Sequence, residues 1–344
     1  MMMTDPFKFS NNPSKSMKPF LNLNRLIHRL ECSDGLKLTF TDKEKEEALT
    51  ILKTTNYYTL SIYKKQLPYD NTKNIFTFSN LIQLVEFDTF LRQAISPFTQ
   101  RIEEIMKTTV VTSTCVNYNG RFSKGECYLD QKIYATPENY EEIIVSLEQT
   151  VEENKTSLTI KHHIEKKNGH IPLWVLAEEM TFGQLSFFFS SLNDDIRKNW
   201  AYYGFLSRNQ QLKKVKGEEI NARLASWFSA AWFLRNLCAH NQRLYGKLLI
   251  TGNPQIYSSD MRKMKRYGKK KNDNRDLFAY LISIKNILIF DTLSTQTRWN
   301  TFLNKLENEI EQNSNVVKLF KIGFVPDWKN LLEIDLDKGL NQLL

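Results

Sequence analysis

Cysteine is scarce and scattered. The four thiols, Cys32, Cys115, Cys127 and Cys238, stand far apart with no CxxC pair. That spacing fits neither a disulfide framework nor a zinc site, and a reducing compartment is expected. Glycine and proline are also few, 12 and 9 in 344 residues. Frequent turns are thereby disfavoured, which tilts the fold toward long helices rather than a sandwich or barrel. No apolar run approaches the ~20 residues of a membrane span. The N-terminus, MMMTDPFKFSNNPSKSMKPF, contains no hydrophobic signal region, so a cytoplasmic protein with no membrane partner is expected. No glycine-rich phosphate loop occurs, leaving ATP or NAD dependence without support, and no cofactor is expected.

Acidic side chains are in the minority: 47 Lys and Arg face 38 Asp and Glu, a net charge of +9. Such an excess favours a polyanionic partner, because each phosphate neutralised by a cation releases condensed counterions. A merely basic, solvated surface fits the same count, so charge alone leaves both open. The hydrophobic share of 41% is that of a folded chain with a real core.

Apolar spacing predicts a series of helices. LNLNRLIHRL, residues 21–30, is followed by a stop at Ser33-Asp34-Gly35. Asp42 is the expected cap of a helix through Tyr63, and Thr77 that of FSNLIQLVEFDTFLRQAI. On the latter, Asp88 and Arg92 lie one turn apart as a surface pair worth a few tenths of a kcal/mol. Ser96-Pro97 either kinks this helix or starts another. Residues 109–135 have strand propensity without a decisive period. A helix over 137–155 follows, then a loop at Lys166–Gly169 and helical segments from Trp174 onward. Residues 218–245 form a long apolar helix candidate, and LFAYLISIKNILIF a buried one, with two weaker helices ending near Leu344. The fold class is all-α, with an irregular insertion and additional N- and C-terminal helices. The expected organisation is a loose tail over 1–17, a helical body over 18–250, and basic loop and helices over 251–344 packed on that body.

The informative stretch is LASWFSAAWFLRNLCAHNQRLYG, residues 224–246. At roughly 100° per residue, Ile220, Leu224, Trp227, Ala231, Leu234 and Cys238 fall on one stripe that must face the core. Asn236 and His240 project together on the other side, provided the helix extends that far. Arg243 lies near them, and Arg235 borders the stripe. A fixed guanidinium can grip a phosphate in bidentate fashion and offset its developing charge. An imidazole can move a proton at a 2′-hydroxyl or a 5′-oxygen. By spacing alone, an ion-paired Arg235 and a His240 at a helix end are the better account of the pattern.

Other elements fall in an order that carries more weight. Lys18-Pro19-Phe20 precedes Asn56-Tyr57-Tyr58 with Tyr63, then Phe87-Asp88 with Leu91-Arg92. Pro172 and Trp174 come next, followed by Glu178 with Thr181-Phe182-Gly183, and finally Arg235-Asn236, Cys238-Ala239-His240 and Arg243. This ordered set resembles the Abi family of phage-resistance proteins over roughly residues 18–250. Abi-like proteins are in turn similar to the HEPN superfamily, whose signature is an Arg, often a polar residue, and a His four to six residues on. The resemblance implies a HEPN-like helical bundle and a metal-independent endoribonuclease that acts as a toxin-like defence effector. It also implies a homodimer meeting at the motif, RNA as substrate, and an RNA or protein antitoxin as a further partner. Arg235 would then bind the phosphate, Asn236 orient the reacting groups, His240 act as general acid and base, and Arg243 contact a phosphate. The same fold without turnover, binding RNA or a protein partner, is the alternative.

The run MRKMKRYGKKK, residues 261–271, holds seven cations around Tyr267. Lys265, Arg266, Lys269, Lys270 and Lys271 are candidate RNA-backbone contacts, with Tyr267 stacking on a base. His162, His163 and His170 lack the carboxylate spacing of catalytic zinc and read as a surface loop, so no metal is expected. Asn56-Tyr57-Tyr58 reads as packing, Glu178 as structural, and Cys238 as a small buried hydrophobe.

Overall fold

The computed structural model describes residues 19–32, 36–68, 75–268 and 274–344. It is all-α. Two parallel strands of two residues each, β1 (Leu38–Thr39) and β2 (Phe76–Thr77), are the only sheet among the described residues. The chain divides into two compact units between Val85 and Glu86.

The first unit holds α1 (Leu23–Cys32), α2 (Asp42–Thr54), α3 (Tyr57–Lys64) and the start of α4 (Phe78–Asn117). Thr41, not Asp42, caps α2. The Thr41 hydroxyl accepts the Glu44 N–H at 3.2 Å, and the Glu44 carboxylate accepts the Thr41 N–H at 2.8 Å. Threonine wins because Glu three positions on completes the reciprocal box, leaving Asp42 in the first turn. The other Glu44 oxygen accepts the Ser79 N–H and hydroxyl at 2.9 and 2.6 Å. The expected continuous helix over 42–63 breaks at Thr55, because the Asn56 side chain accepts the Tyr58 N–H at 2.8 Å and caps α3 anew. Tyr58 is exposed rather than packed. Buried Lys64 donates to the Leu30 carbonyl at 2.6 Å, satisfying the end of α1. Thr77 caps α4 as expected, paired reciprocally with Asn80 at 3.3 and 3.1 Å. The expected stop at Ser33-Asp34-Gly35 and the tail over 1–17 lie outside the described residues.

In the second unit α4 runs unbroken through Pro97 to Asn117, neither ending at Ser96 nor restarting. Its strand-like end, TTVVTSTCV, is helical because burial of Val110 and Val111 outweighs intrinsic preference. The Thr109, Thr112 and Thr114 hydroxyls bond carbonyls one turn back at 2.7, 2.7 and 2.8 Å. Short 3₁₀ turns at Lys124–Leu129 and Gln131–Ile133 lead to α5 (Pro137–Glu153), α6 (Leu158–Lys166), α7 (Leu173–Glu179), α8 (Phe182–Ser191) and α9 (Asp194–Ala201). His162 and His163 belong to α6 rather than to a loop, and only His170 lies in the turn beyond it. The bend into that turn is made by Asn168 and Gly169, both at positive φ. Thr181 opens α8 with a capping box to Gln184, which is why α7 and α8 are separate helices.

The core of this unit is built on α10 (Gln210–Ala239) and α12 (Leu277–Leu288), which pack together. All six members of the expected stripe on α10, from Ile220 to Cys238, are buried. Every residue of α12 is buried too, as its near-continuous apolar sequence requires. The Trp200 ring centre lies 4.3 Å from that of Phe189 and 5.1 Å from that of Phe228, both tilted at 59°, joining α8, α9 and α10. Trp227 is wholly buried, with its indole N–H on the Gln255 carbonyl at 2.8 Å. The segment α11 (Ser258–Lys265) gives part of the basic run a helical backbone, and α13 (Leu293–Gln312) and α14 (Trp328–Leu332) complete the order. No described helix is long and apolar enough to cross a membrane.

Candidate functional site

Helix α10 ends inside the Arg235–Arg243 stretch. His240 is the C-cap, and Asn241 beyond it turns into the left-handed region at φ 51°. The Asn241 N–H returns to the Cys238 carbonyl at 3.2 Å, and the Gln242 N–H reaches the Leu237 carbonyl at 2.8 Å. These two bonds make a Schellman closure, with asparagine in the place glycine usually takes. The helix therefore ends six residues short of the span expected to 245. Because the closure bends the chain away, His240 is left exposed, and its ring makes no hydrogen bond among the described residues.

Arg235 sits one turn earlier and is held on two sides. Its Nε lies 3.2 Å from a Glu103 carboxylate oxygen on α4, and Nη1 donates to the Asn236 side-chain oxygen at 3.3 Å. The Arg235 side chain keeps 33% of its exposure while Glu103 keeps 14%, so the acid is the more deeply set partner and the guanidinium the more open one. Nη2 has no hydrogen bond among the described residues. A guanidinium fixed along one edge with a free outer nitrogen suits an oxyanion.

The turn after the motif is built on a residue read as a surface partner. Asp88 is completely buried. One of its oxygens accepts the Leu244 and Tyr245 N–H groups at 2.9 and 2.6 Å, and the other receives the Arg92 guanidinium. Arg92 also donates to the Thr89 hydroxyl at 2.8 Å. The expected pair exists, but inside the protein, because two backbone donors and a cation offset the desolvation of one carboxylate. Sequence spacing showed the pair; only the fold shows that its anion holds residues 244 and 245. Tyr245, fully buried, stands edge-on to Phe87 at 6.0 Å, and its hydroxyl accepts the Lys318 N–H at 2.8 Å. Burial pushes the Tyr245 phenol up to about 12.

Arg243 spends part of its guanidinium on the Tyr245 carbonyl. Lys247 was not anticipated in this cluster. Its ammonium is lowered first by burial and then by the Arg243 charge, against the pull of Asp88, and it donates to Gln242 at 2.8 Å. Cys238 lies beside the same Asp88–Arg92 pair, and burial raises its thiol to about 12, so it stays protonated. Lys265 and Arg266, at and just beyond the end of α11, are exposed and make no hydrogen bond or ion pair with the motif. Lys269, Lys270 and Lys271 lie outside the described residues. Glu178 is exposed, and its carbonyl rather than its carboxylate takes part, accepting from Lys107 at 2.9 Å.

His170 reaches the Glu126 carboxylate, which this contact holds below the usual carboxylate range, and His163 meets the His170 carbonyl at 2.7 Å. Among the described residues, no group of three or more His, Cys, Asp or Glu is arranged to hold a metal ion.

Residues 50–246 match the family of Abi-like proteins. No curated protein and no solved structure matches the chain. The matched segment holds Asp88, Arg92, Glu103, Arg235, Asn236, His240 and Arg243, so the buried pair, the anchoring acid and the motif all lie within it. The chain therefore belongs to the Abi-like protein family, the class of abortive-infection phage defence.

Proposed function

We propose that this protein is a metal-independent endoribonuclease of the HEPN type that halts growth during infection by cutting RNA. The observation that carries the reading is the exposed His240 at the C-cap of α10, without a hydrogen bond among the described residues, one turn from an Arg235 oriented by Glu103 and Asn236. In this chemistry His240 takes the proton from a ribose 2′-hydroxyl, whose oxygen forms a bond to the adjacent phosphorus. The bond from phosphorus to the 5′-oxygen breaks, and that oxygen leaves with a proton. The products are a 2′,3′-cyclic phosphate and a 5′-hydroxyl. Arg235 offsets the charge that builds on the non-bridging oxygens. Two copies meeting at the ends of their α10 helices would supply a second histidine as proton donor to the leaving oxygen. Lys247 and Arg243 add positive charge beside the motif, and Lys265, Arg266 and Lys269–Lys271 supply backbone contacts farther along the RNA.

A second reading, RNA or partner binding without turnover, is favoured by the Arg235–Glu103 contact, which already occupies one edge of the guanidinium. Incubating wild type and His240→Ala with total and synthetic RNA in EDTA separates the two. Cleavage by wild type alone, with cyclic-phosphate ends and both proteins equally folded, is the expected result. Intact RNA with both proteins, or equal cutting by both, rejects His240 chemistry.

A further inference from the structure

Eight residues past His240 the chain enters a cleft that the motif itself does not use. The exit segment is tied to both walls. The Gly246 N–H donates to the Lys321 carbonyl at 3.2 Å, and the Leu249 N–H to the Arg275 carbonyl at 2.7 Å. Between these ties lies a cleft of about 620 Å³, lined by Leu248, Tyr267, Arg275, Phe320 and the turn from Gly323 to Pro326. That size is within the roughly 300–1,000 Å³ of small-ligand sites. Gly323 and Asp276, which also line the cleft, are closely packed: Gly323 has φ 77°, and a Cβ there would fall 2.0 Å from the Asp276 side chain.

Two aromatic rings stand open at this cleft, Phe320 with 72% of its surface exposed and Tyr267 with 43%. With Leu248, 66% exposed, they gather open apolar surface in one cleft, which marks a binding groove where a single exposed side chain would not. The Lys321 ammonium lies 5.8 Å from the Phe320 ring centre, and the Arg275 side chain is exposed. Arg262, Lys263, Lys265 and Arg266 lead up to Tyr267, all exposed. Open rings flanked by cations match a ligand that alternates flat π-faces with phosphates. A duplex hides those faces in its own stack, so the match is to unpaired nucleotides.

We infer that this cleft is the base-binding subsite for single-stranded RNA, with Phe320 and Tyr267 stacking on an unpaired base and Arg275 and Lys321 meeting the flanking phosphates. The inference takes from the ribonuclease reading only the identity of the polynucleotide.

The test measures binding apart from cutting. In the full-length His240→Ala protein, fluorescence anisotropy follows a labelled single-stranded RNA, the matching duplex, and an abasic strand of equal length. Phe320→Ala should weaken the single strand about fivefold or more, as expected for one lost stack, and leave the abasic strand unchanged. Phe320→Trp should retain affinity, and Leu158→Ala, an exposed site on α6, should match the parent. Equal affinity of Phe320→Ala and its parent for the single strand overturns the subsite, as does an equal loss on the abasic strand or no RNA binding by the parent. A change in oligomeric state on sedimentation with RNA affinity intact assigns the cleft to a protein partner and overturns it too. Wild type that binds through Phe320 yet leaves RNA uncut would refute the ribonuclease while keeping the subsite.

Discussion

At Asp88 one carboxylate does three jobs: it accepts from Leu244, from Tyr245 and from Arg92. An asparagine of the same shape keeps an acceptor but loses the charge that balances Arg92. Asp88→Asn should therefore lower stability by about 3–5 kcal/mol, the cost of breaking a buried ion pair by removing one partner. Urea denaturation measures it, and a loss below about 1 kcal/mol would show the pair to be dispensable. Glu103 makes the opposite kind of prediction. Its charge competes with a phosphate for Arg235, so Glu103→Gln should raise affinity for RNA at low salt, by a few-fold on the scale of about 1 kcal/mol for one partly exposed charge pair. Unchanged affinity would remove Arg235 from the RNA interface. At this scale the motif was legible because Arg, Asn and His sit close in sequence. Asp88 and Glu103 were not legible as supports, since each lies over a hundred positions away: Glu103 meets Arg235, and Asp88 the turn at Leu244 and Tyr245, only in the folded chain.

At the scale of elements, helix ends follow local chemistry. Thr77 was readable as a cap, and the α10 stripe as a buried face, from spacing alone. Asp42 was misread because an acid before a helix and a threonine before an acid look alike until the partner at the third position is counted. Glu44 at that position links the cap of α2 to Ser79 on α4. Burial opposes its charge, but donors from Ser79 and Thr41 outweigh that and hold the carboxyl down at about 2. The folded-state value lies below that of an unfolded chain. The stabilisation is therefore complete above about pH 4.5 and fades as pH falls from there toward 2. Thermal melts of wild type should lose stability across that window. Glu44→Gln should start lower by about 1–2 kcal/mol, the usual worth of a cap, and show a flatter slope. Parallel slopes would clear Glu44 of the effect.

For the whole molecule, charge is the property the composition states most directly. With a net +9, RNA affinity should fall steeply with salt, and the basic run contributes part of that slope. Replacing Lys269, Lys270 and Lys271 by glutamine should reduce the slope by about 2, taking roughly 0.7 per neutralised phosphate on a single strand. An unchanged slope in a titration from low to physiological salt would exclude that run from the interface. Composition also determined the all-α class: few glycines and prolines and strong helical periods leave little else. What the sequence could not settle was every contact between distant segments. Strand-like Thr and Val near residue 110 became helix because burial in a core outweighs intrinsic preference. The Asp88–Arg92 pair moved from surface to interior because two backbone donors arrived from residues 244 and 245. Periods and caps are local and survive in one dimension. Which acid anchors Arg235, and which rings stand open beyond His240, is decided only when packing brings remote residues to one place.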